Sequence, residues 1–148
     1  MAAPPASSLQ VSLRRLYRKP RADVFKAWTD AKELKRWWGP VGYDAPSIEV
    51  DLRVGGRYRF TMRKLADGHV SIVTGVYQEI VPGERLVFTW NWEQGPPFGS
   101  NTLVTVEFRD AAGGTELVLV HEKFESEQAR DEHTKGWNGC LEKFETAL

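Results

Sequence analysis

The sequence predicts an α+β domain in which a curved antiparallel sheet of about six to seven strands wraps around one long C-terminal helix. Three observations carry that expectation. From residue 46 onward the chain alternates apolar and polar residues in strand-length runs, separated by Asp-Gly, Pro-Gly and Gly-Gly turn signals. Near the C-terminus, Ala129, His133, Trp137, Cys140, Leu141, Phe144 and Leu148 recur at steps of three and four, which puts them on one helical face. Between the first strand and the rest lie two short helical stretches. A sheet with one apolar face has to cover it, and the C-terminal helix is the only element long enough.

The elements follow in order. Residues 9–17, LQVSLRRLY, alternate as a first strand with Leu9, Val11, Leu13 and Tyr17 on one side. Pro20 suits the first position of a helix, where its missing N–H costs nothing. The stretch PRADVFKAWTD then places Val24, Ala27 and Trp28 on one stripe. Asp30 and Glu33 have capping-box spacing and open a second short helix at Ala31, which Gly39-Pro40 ends. That helix carries the adjacent pair Trp37 and Trp38 at its C-terminal end. Neighbouring helical residues point about 100° apart, so the two rings belong to different environments. Trp37, three residues after Leu34, is expected on the inner wall, and Trp38, four after, at the mouth.

SIEVDLRVGG (47–56) reads as a strand and a turn. RYRFTMR (57–63) puts Tyr58, Phe60 and Met62 on one face and Arg57, Arg59, Thr61 and Arg63 on the other. VSIVTGVYQEI (70–80) is a long strand after the Asp-Gly turn, and RLVFTWNW (85–92) aligns Leu86, Phe88, Trp90 and Trp92. EQGPPFGS (93–100) is a loop, because its prolines and glycines break any ladder. NTLVTVEFRD and TELVLVHEKF form a last hairpin around AAGG, and Ser126 N-caps the final helix. With no internal repeat and no linker, residues 9–148 form a single domain behind a flexible lead-in of residues 1–8.

Composition narrows the function classes. The chain has 148 residues, 41% hydrophobic and 27% charged, as a folded domain requires. Twenty basic and twenty acidic residues cancel, which argues against nucleic-acid binding. The basic stretch RRLYRKPR (14–21) reads as a solvated strand edge. A single cysteine, Cys140, fits a reducing cytoplasmic setting, and no apolar run approaches a membrane span or a secretory signal. There is no HExxH, CxxC or grouped His/Cys set, so neither a metal nor a cofactor is expected. The paired glycines of DLRVGGRYRF lie between strands and read as a turn, and no GxSxG elbow occurs. Cys140 reads as a buried inert thiol.

The stretches VFKAWTDAKELKRWWGP, DLRVGGRYRFTM, GVYQEIVPGERLVFTW, VEF…GGTELVLVHEKF and GWNGCLEKFE, in this order, run from about residue 13 to the C-terminus. Together they resemble the START-like (SRPBCC) superfamily with the helix-grip fold. Within it, they resemble the group related to the C-terminal domain of the heat-shock-protein-90 ATPase activator. The resemblance implies an internal cavity between sheet and long helix, of the kind that related folds use for lipids, hormones or other apolar molecules.

Pattern alone nominates the residues that would line such a cavity: Trp37, Trp38, Tyr58, Phe60, Met62, Phe88, Trp90, Trp92, Leu117, Leu119, His121, His133, Trp137 and Leu141. His121, His133, Glu79 and Arg59 are the candidates for its polar minority, and two inward histidines could titrate near neutral pH as a general base does. The first functional expectation is binding of a small apolar or aromatic molecule, with a cyclase- or hydrolase-like activity as an alternative and enzyme status open. The second, by resemblance to the activator, is a protein-interaction or co-chaperone-like stress-response module, acting as monomer or homodimer. Its candidate surface is GPVGYDAP (39–46) with Trp38, and the loop GPPFG with an exposed Phe98.

Overall fold

In the computed structural model, which describes residues 9–93 and 101–148, one antiparallel sheet carries the whole molecule. Its strands are β1 (Val11–Tyr17), β2 (Tyr43–Val50), β3 (Arg57–Lys64), β4 (Val70–Val81), β5 (Arg85–Trp92), β6 (Thr102–Ala111) and β7 (Gly114–Glu122). Their spatial order is β1-β7-β6-β5-β4-β3-β2. Successive hairpins build β2 to β7, and β1 joins the far edge beside β7, with Val11 opposite His121 and Tyr17 opposite Thr115. The helices α1 (Arg21–Thr29) and α2 (Ala31–Trp37) therefore carry the chain from one edge of the sheet to the other. The long helix α3 (Glu127–Ala147) closes the chain. The predicted helix-grip architecture of a curled sheet around a C-terminal helix is the one observed. No described helix is long and apolar enough to cross a membrane. The lead-in 1–8 and most of the predicted loop, including Phe98, lie outside the described residues.

Local chemistry explains the helix ends. Asp30 both ends α1 and starts α2: its N–H bonds the Lys26 carbonyl at 2.9 Å, while its carboxylate accepts from the N–H groups of Lys32 and Glu33. The capping box is thus half made. Because the Asp30 N–H is already taken, Glu33 turns to Arg36 instead. Pro20 is the N-cap of α1, not its first residue; its ψ of 154° is extended and its carbonyl accepts from Asp23 and Val24. Ser126 caps α3 by accepting from the Ala129 N–H at 3.1 Å.

Strand β2 begins at Tyr43, earlier than the sequence suggests, because it tolerates Pro46. It is an edge strand, and its register shifts between Asp44 and Ser47, where a ladder N–H is dispensable. Strand β7 stops at Glu122, since Lys123 adopts φ 73° and turns Phe124 into the core. Gly75 is required in β4. A Cβ there would collide with the Thr89 carbonyl and the Tyr58 ring, and the Tyr58 hydroxyl donates to that same carbonyl. The sheet is thereby drawn tight at β3–β5.

The concave face and α3 enclose the core. The predicted stripe of α3 is buried from Ala129 to Phe144, and the inward faces of β6 and β7 contribute Val104, Val106, Phe108, Leu117 and Leu119. Val24, Ala27 and Trp28 of α1 pack on one end of that core. Each fully buried Leu or Phe contributes roughly 1.5–3 kcal/mol relative to exposure.

Candidate functional site

One end of the interface between α3 and the sheet is packed solid, and the other is hollow. The hollow is a cavity of about 420 Å³ between the first half of α3, the strands β3, β4 and β5, and the Gly39–Tyr43 turn. Four indoles wall it: Trp38, Trp90, Trp92 and Trp137. Their ring centroids stand close, 5.1 Å for Trp90–Trp137, 5.5 Å for Trp90–Trp92 and 5.9 Å for Trp38–Trp137. Met62, Pro40, Tyr43, Ser71, His133 and Cys140 complete the wall, and the exposed His69, Glu132 and Lys135 stand at its rim.

Two glycines on α3 shape this space in opposite ways. A Cβ at Gly139 would press on Pro40, so glycine there lets the Gly39–Pro40 turn close on the helix. A Cβ at Gly136 would meet nothing within 4 Å. Gly136 lines the cavity, so the missing side chain is part of the reason the hollow exists. Glycine in a helix interior costs about 1 kcal/mol against alanine, and helix propensity alone does not account for it at this position.

The two predicted histidines meet in a buried hydrogen-bond network. Nε2 of His133 accepts from the indole N–H of Trp92 at 2.9 Å and of Trp90 at 3.3 Å, so its proton sits on Nδ1, which donates to the Ala129 carbonyl at 2.7 Å. Nδ1 of His121 accepts from the Trp137 N–H at 3.0 Å, so its Nε2 carries the proton and donates to Thr102 Oγ1 at 2.8 Å. Thr102 in turn donates to the Trp90 carbonyl. Each ring is therefore held in one neutral tautomer, His133 by three partners and His121 by two. Burial pushes His121 well below the usual imidazole range, with His133 beside it adding to the effect. Burial also lowers His133, against a partial opposing pull from the Ala129 hydrogen bond and Glu132. The expectation of a general base titrating near neutrality is thereby corrected. A second N–H proton on either ring would face an indole N–H already pointing at it.

The nominated residues divide into three groups. Trp38, Met62, Trp90, Trp92, His133 and Trp137 stand on the cavity wall. Trp37 does not. It is 1% exposed, packs at 4.5 Å on Phe144 and 4.9 Å on Trp28, and donates its N–H to the Ala27 carbonyl. The expected roles of the pair are corrected: Trp37 belongs to the solid core and Trp38, 2% exposed, to the wall rather than an open gate. Tyr58, Phe60 and Phe88 form an aromatic layer behind the cavity together with Tyr77. Leu117, Leu119, His121 and Leu141 fill the core beside it. Arg59 and Glu79 are corrected outright. Both face outward, Arg59 paired with Glu93 at 2.8 Å and Glu79 with Arg85 at 2.5 Å.

Residues that strand and helix periodicity did not nominate also line the cavity: Pro40, Tyr43, His69, Ser71, Glu132, Lys135, Gly136 and Cys140. A glycine inside an otherwise regular amphipathic helix was the one available signal for Gly136. The Cys140 thiol is pushed up to about 12 by burial, only partly offset by the Gly39 backbone and Lys143. It is expected to resist a maleimide in the folded protein and to react fully in denaturant. Rapid labelling of the native protein, followed by mass, would show that the wall opens there.

Comparison with known proteins adds the following. The model of the family described as Activator of Hsp90 ATPase homolog 1-like protein matches residues 18–148. A solved structure of a Chromobacterium violaceum protein is 26% identical, with 94% of this chain and 96% of that one covered and a TM-score of 0.83. A Silicibacter pomeroyi protein is 23% identical, with 93% and 95% covered and a TM-score of 0.80. An Arthrobacter aurescens protein is 22% identical, with 98% and 88% covered and a TM-score of 0.82. No curated protein matches the chain.

Proposed function

The chain belongs to the Activator of Hsp90 ATPase homolog 1-like family, and from that premise we propose that it binds a small, mainly apolar, ring-containing molecule between α3 and the sheet. The carrying observation is the hollow of about 420 Å³ walled by Trp38, Trp90, Trp92 and Trp137. Its size lies in the range that small-molecule pockets occupy, and indole faces offer large apolar area at low rotamer cost. The locked histidines support binding rather than acid–base catalysis, because neither ring has a free nitrogen to exchange a proton with a guest. Their role is to hold Trp90, Trp92 and Trp137 in place as a rigid wall.

Gly136→Leu tests this reading. A Cβ at Gly136 meets nothing within 4 Å and leucine is the better helix former, so folding stability is expected to hold or rise by roughly 0.5–1 kcal/mol. Quenching of tryptophan fluorescence by an apolar naphthyl dye is expected to need roughly 10- to 100-fold more dye in the variant. Unchanged dye affinity in a well-folded variant would place the dye elsewhere and sink the reading.

A protein-contact role is the second reading, supported by two exposed apolar side chains near the mouth. Val41 is 65% and Leu65 62% exposed, and their turns are tied by the Leu65 N–H to the Gly42 carbonyl at 2.9 Å. Trp38 is withdrawn from that surface. A purified Hsp90-type chaperone whose ATPase rate does not change on adding this protein would count against it.

A further inference from the structure

The wall of the cavity depends on one uncharged nitrogen. Nε2 of His133 accepts from two indoles at once, Trp92 at 2.9 Å and Trp90 at 3.3 Å, and these are two of the four indoles that enclose the hollow. The other ring nitrogen is committed to the Ala129 carbonyl at 2.7 Å. A neutral imidazole has a single acceptor nitrogen and loses it on taking up a proton. A charged His133 would set its new N–H against two others. Both indoles would then have to leave their places, with buried donors unpaired.

We infer that guest binding in this cavity is coupled to the charge of His133, so that acid loosens the Trp90–Trp92 wall and releases the guest. The inference rests on the cavity-binding reading and adds a control to it. His133 is better placed for this role than His121. His121 is 0% exposed, stands outside the cavity lining and holds Trp137 alone, whereas His133 is 6% exposed and lines the cavity. Burial holds His121 well below the usual imidazole range and lowers His133 less, so His133 charges first as pH falls. The rings packed on His133 offer a charged imidazole no carboxylate: β5 presents Trp90 and Trp92, β7 presents His121, and Phe124 follows it. The charged groups of the lining, His69, Glu132 and Lys135, are exposed at the rim. Glu132 favours the charged ring but does not outweigh burial. An apolar guest against this wall takes water from the same ring and strengthens its preference for the neutral form. The coupling is reciprocal: the proton weakens the guest by the factor by which the guest weakens the proton.

The probe is N-phenyl-1-naphthylamine, an apolar dye that stays uncharged in mild acid. Its affinity is expected to be level around neutral pH and to weaken on acidification while circular dichroism still reports the folded protein. The limiting slope is about tenfold per pH unit. On that slope, calorimetry in buffers of different ionisation enthalpy should show up to about one proton released per dye bound. In 1H–15N spectra of the dye-free protein, protonation of His133 Nε2 and movement of the Trp90 and Trp92 indole signals should share one midpoint. Added dye should shift that midpoint to lower pH. Whatever affinity His133→Gln retains is expected to vary little with pH. The spectra need only the unmodified protein, so poor folding of the variant leaves the test intact. Level affinity down to the acid limit of the folded protein overturns the inference. So does an acid dependence that persists in well-folded His133→Gln. Dye binding that Gly136→Leu weakens, but that is level with pH, removes the coupling and leaves the cavity reading standing. If the dye does not bind at any pH, both readings fall together.

Discussion

Trp37→Ala is expected to lower folding stability by about 3–5 kcal/mol, a large part of the roughly 5–15 kcal/mol that holds a domain of this size together. The ring is 1% exposed and joins three elements: it packs on Trp28 of α1 and Phe144 of α3, and its N–H ties α2 to the Ala27 carbonyl. Truncation removes the transfer energy of an indole, leaves a hole that rigid neighbours fill poorly, and strands a buried carbonyl. Urea unfolding should show the midpoint falling with little change in slope. Trp37→Phe keeps most of the ring but not the donor, and is expected to cost about 1–2 kcal/mol. A loss below about 1 kcal/mol in Trp37→Ala would mean that the helices repack, and would refute the placement of Trp37 in a solid core.

The second large effect is on pH. His121 and His133 are both kept neutral in the fold, chiefly by burial. The unfolded chain takes up two protons as pH falls through the ordinary imidazole value near 6.5, while the folded protein does not until its own lower values are reached. Stability is therefore full above that point and declines below it, by about 1.4 kcal/mol per pH unit for each ring. Between about pH 7 and pH 5.5 the pair is expected to lower stability in urea unfolding experiments, by at most about 2–3 kcal/mol, the limit reached when both rings stay neutral throughout. Asp44 and Glu93, held low by Arg63 and Arg59, act in a separate window. Their share is present above the normal carboxylate range and is lost only as pH falls through and below it. His133→Gln, which still offers an oxygen to Trp90 and Trp92, should remove about half of the dependence. Stability that is flat from pH 7 to 5.5 would contradict two buried neutral imidazoles.

The same network shows how far sequence pattern reaches. Helical spacing was enough to put His133, Trp137 and Cys140 on one face of α3, and strand parity was enough to put Leu117, Leu119 and His121 on one face of β7. That both faces meet is a consequence of one helix having to cover one sheet. Which nitrogen of each ring meets which indole depends on sub-ångström placement of elements far apart in the chain, and no local spacing encodes it. The general-base expectation failed for that reason.

Local signals likewise located the turns between β2 and β3, β3 and β4, β4 and β5, and β6 and β7, and the Asp30 cap, because those depend on residues close together in the chain. Alternation could say that Tyr58, Phe60, Phe88 and Trp90 face inward, but not at what depth. Inward residues become core or cavity wall according to whether the opposite element carries a side chain at that level. Opposite Phe144 there is Trp37, and the interior is closed. At Gly136 there is no side chain at all, and the interior stays open. For the pair in KRWWGP, the roughly 100° between neighbouring helical residues was enough to separate their environments. Only the tertiary packing decided that Trp37 is closed over by Trp28 and Phe144 while Trp38 shares the wall of the hollow with Gly136.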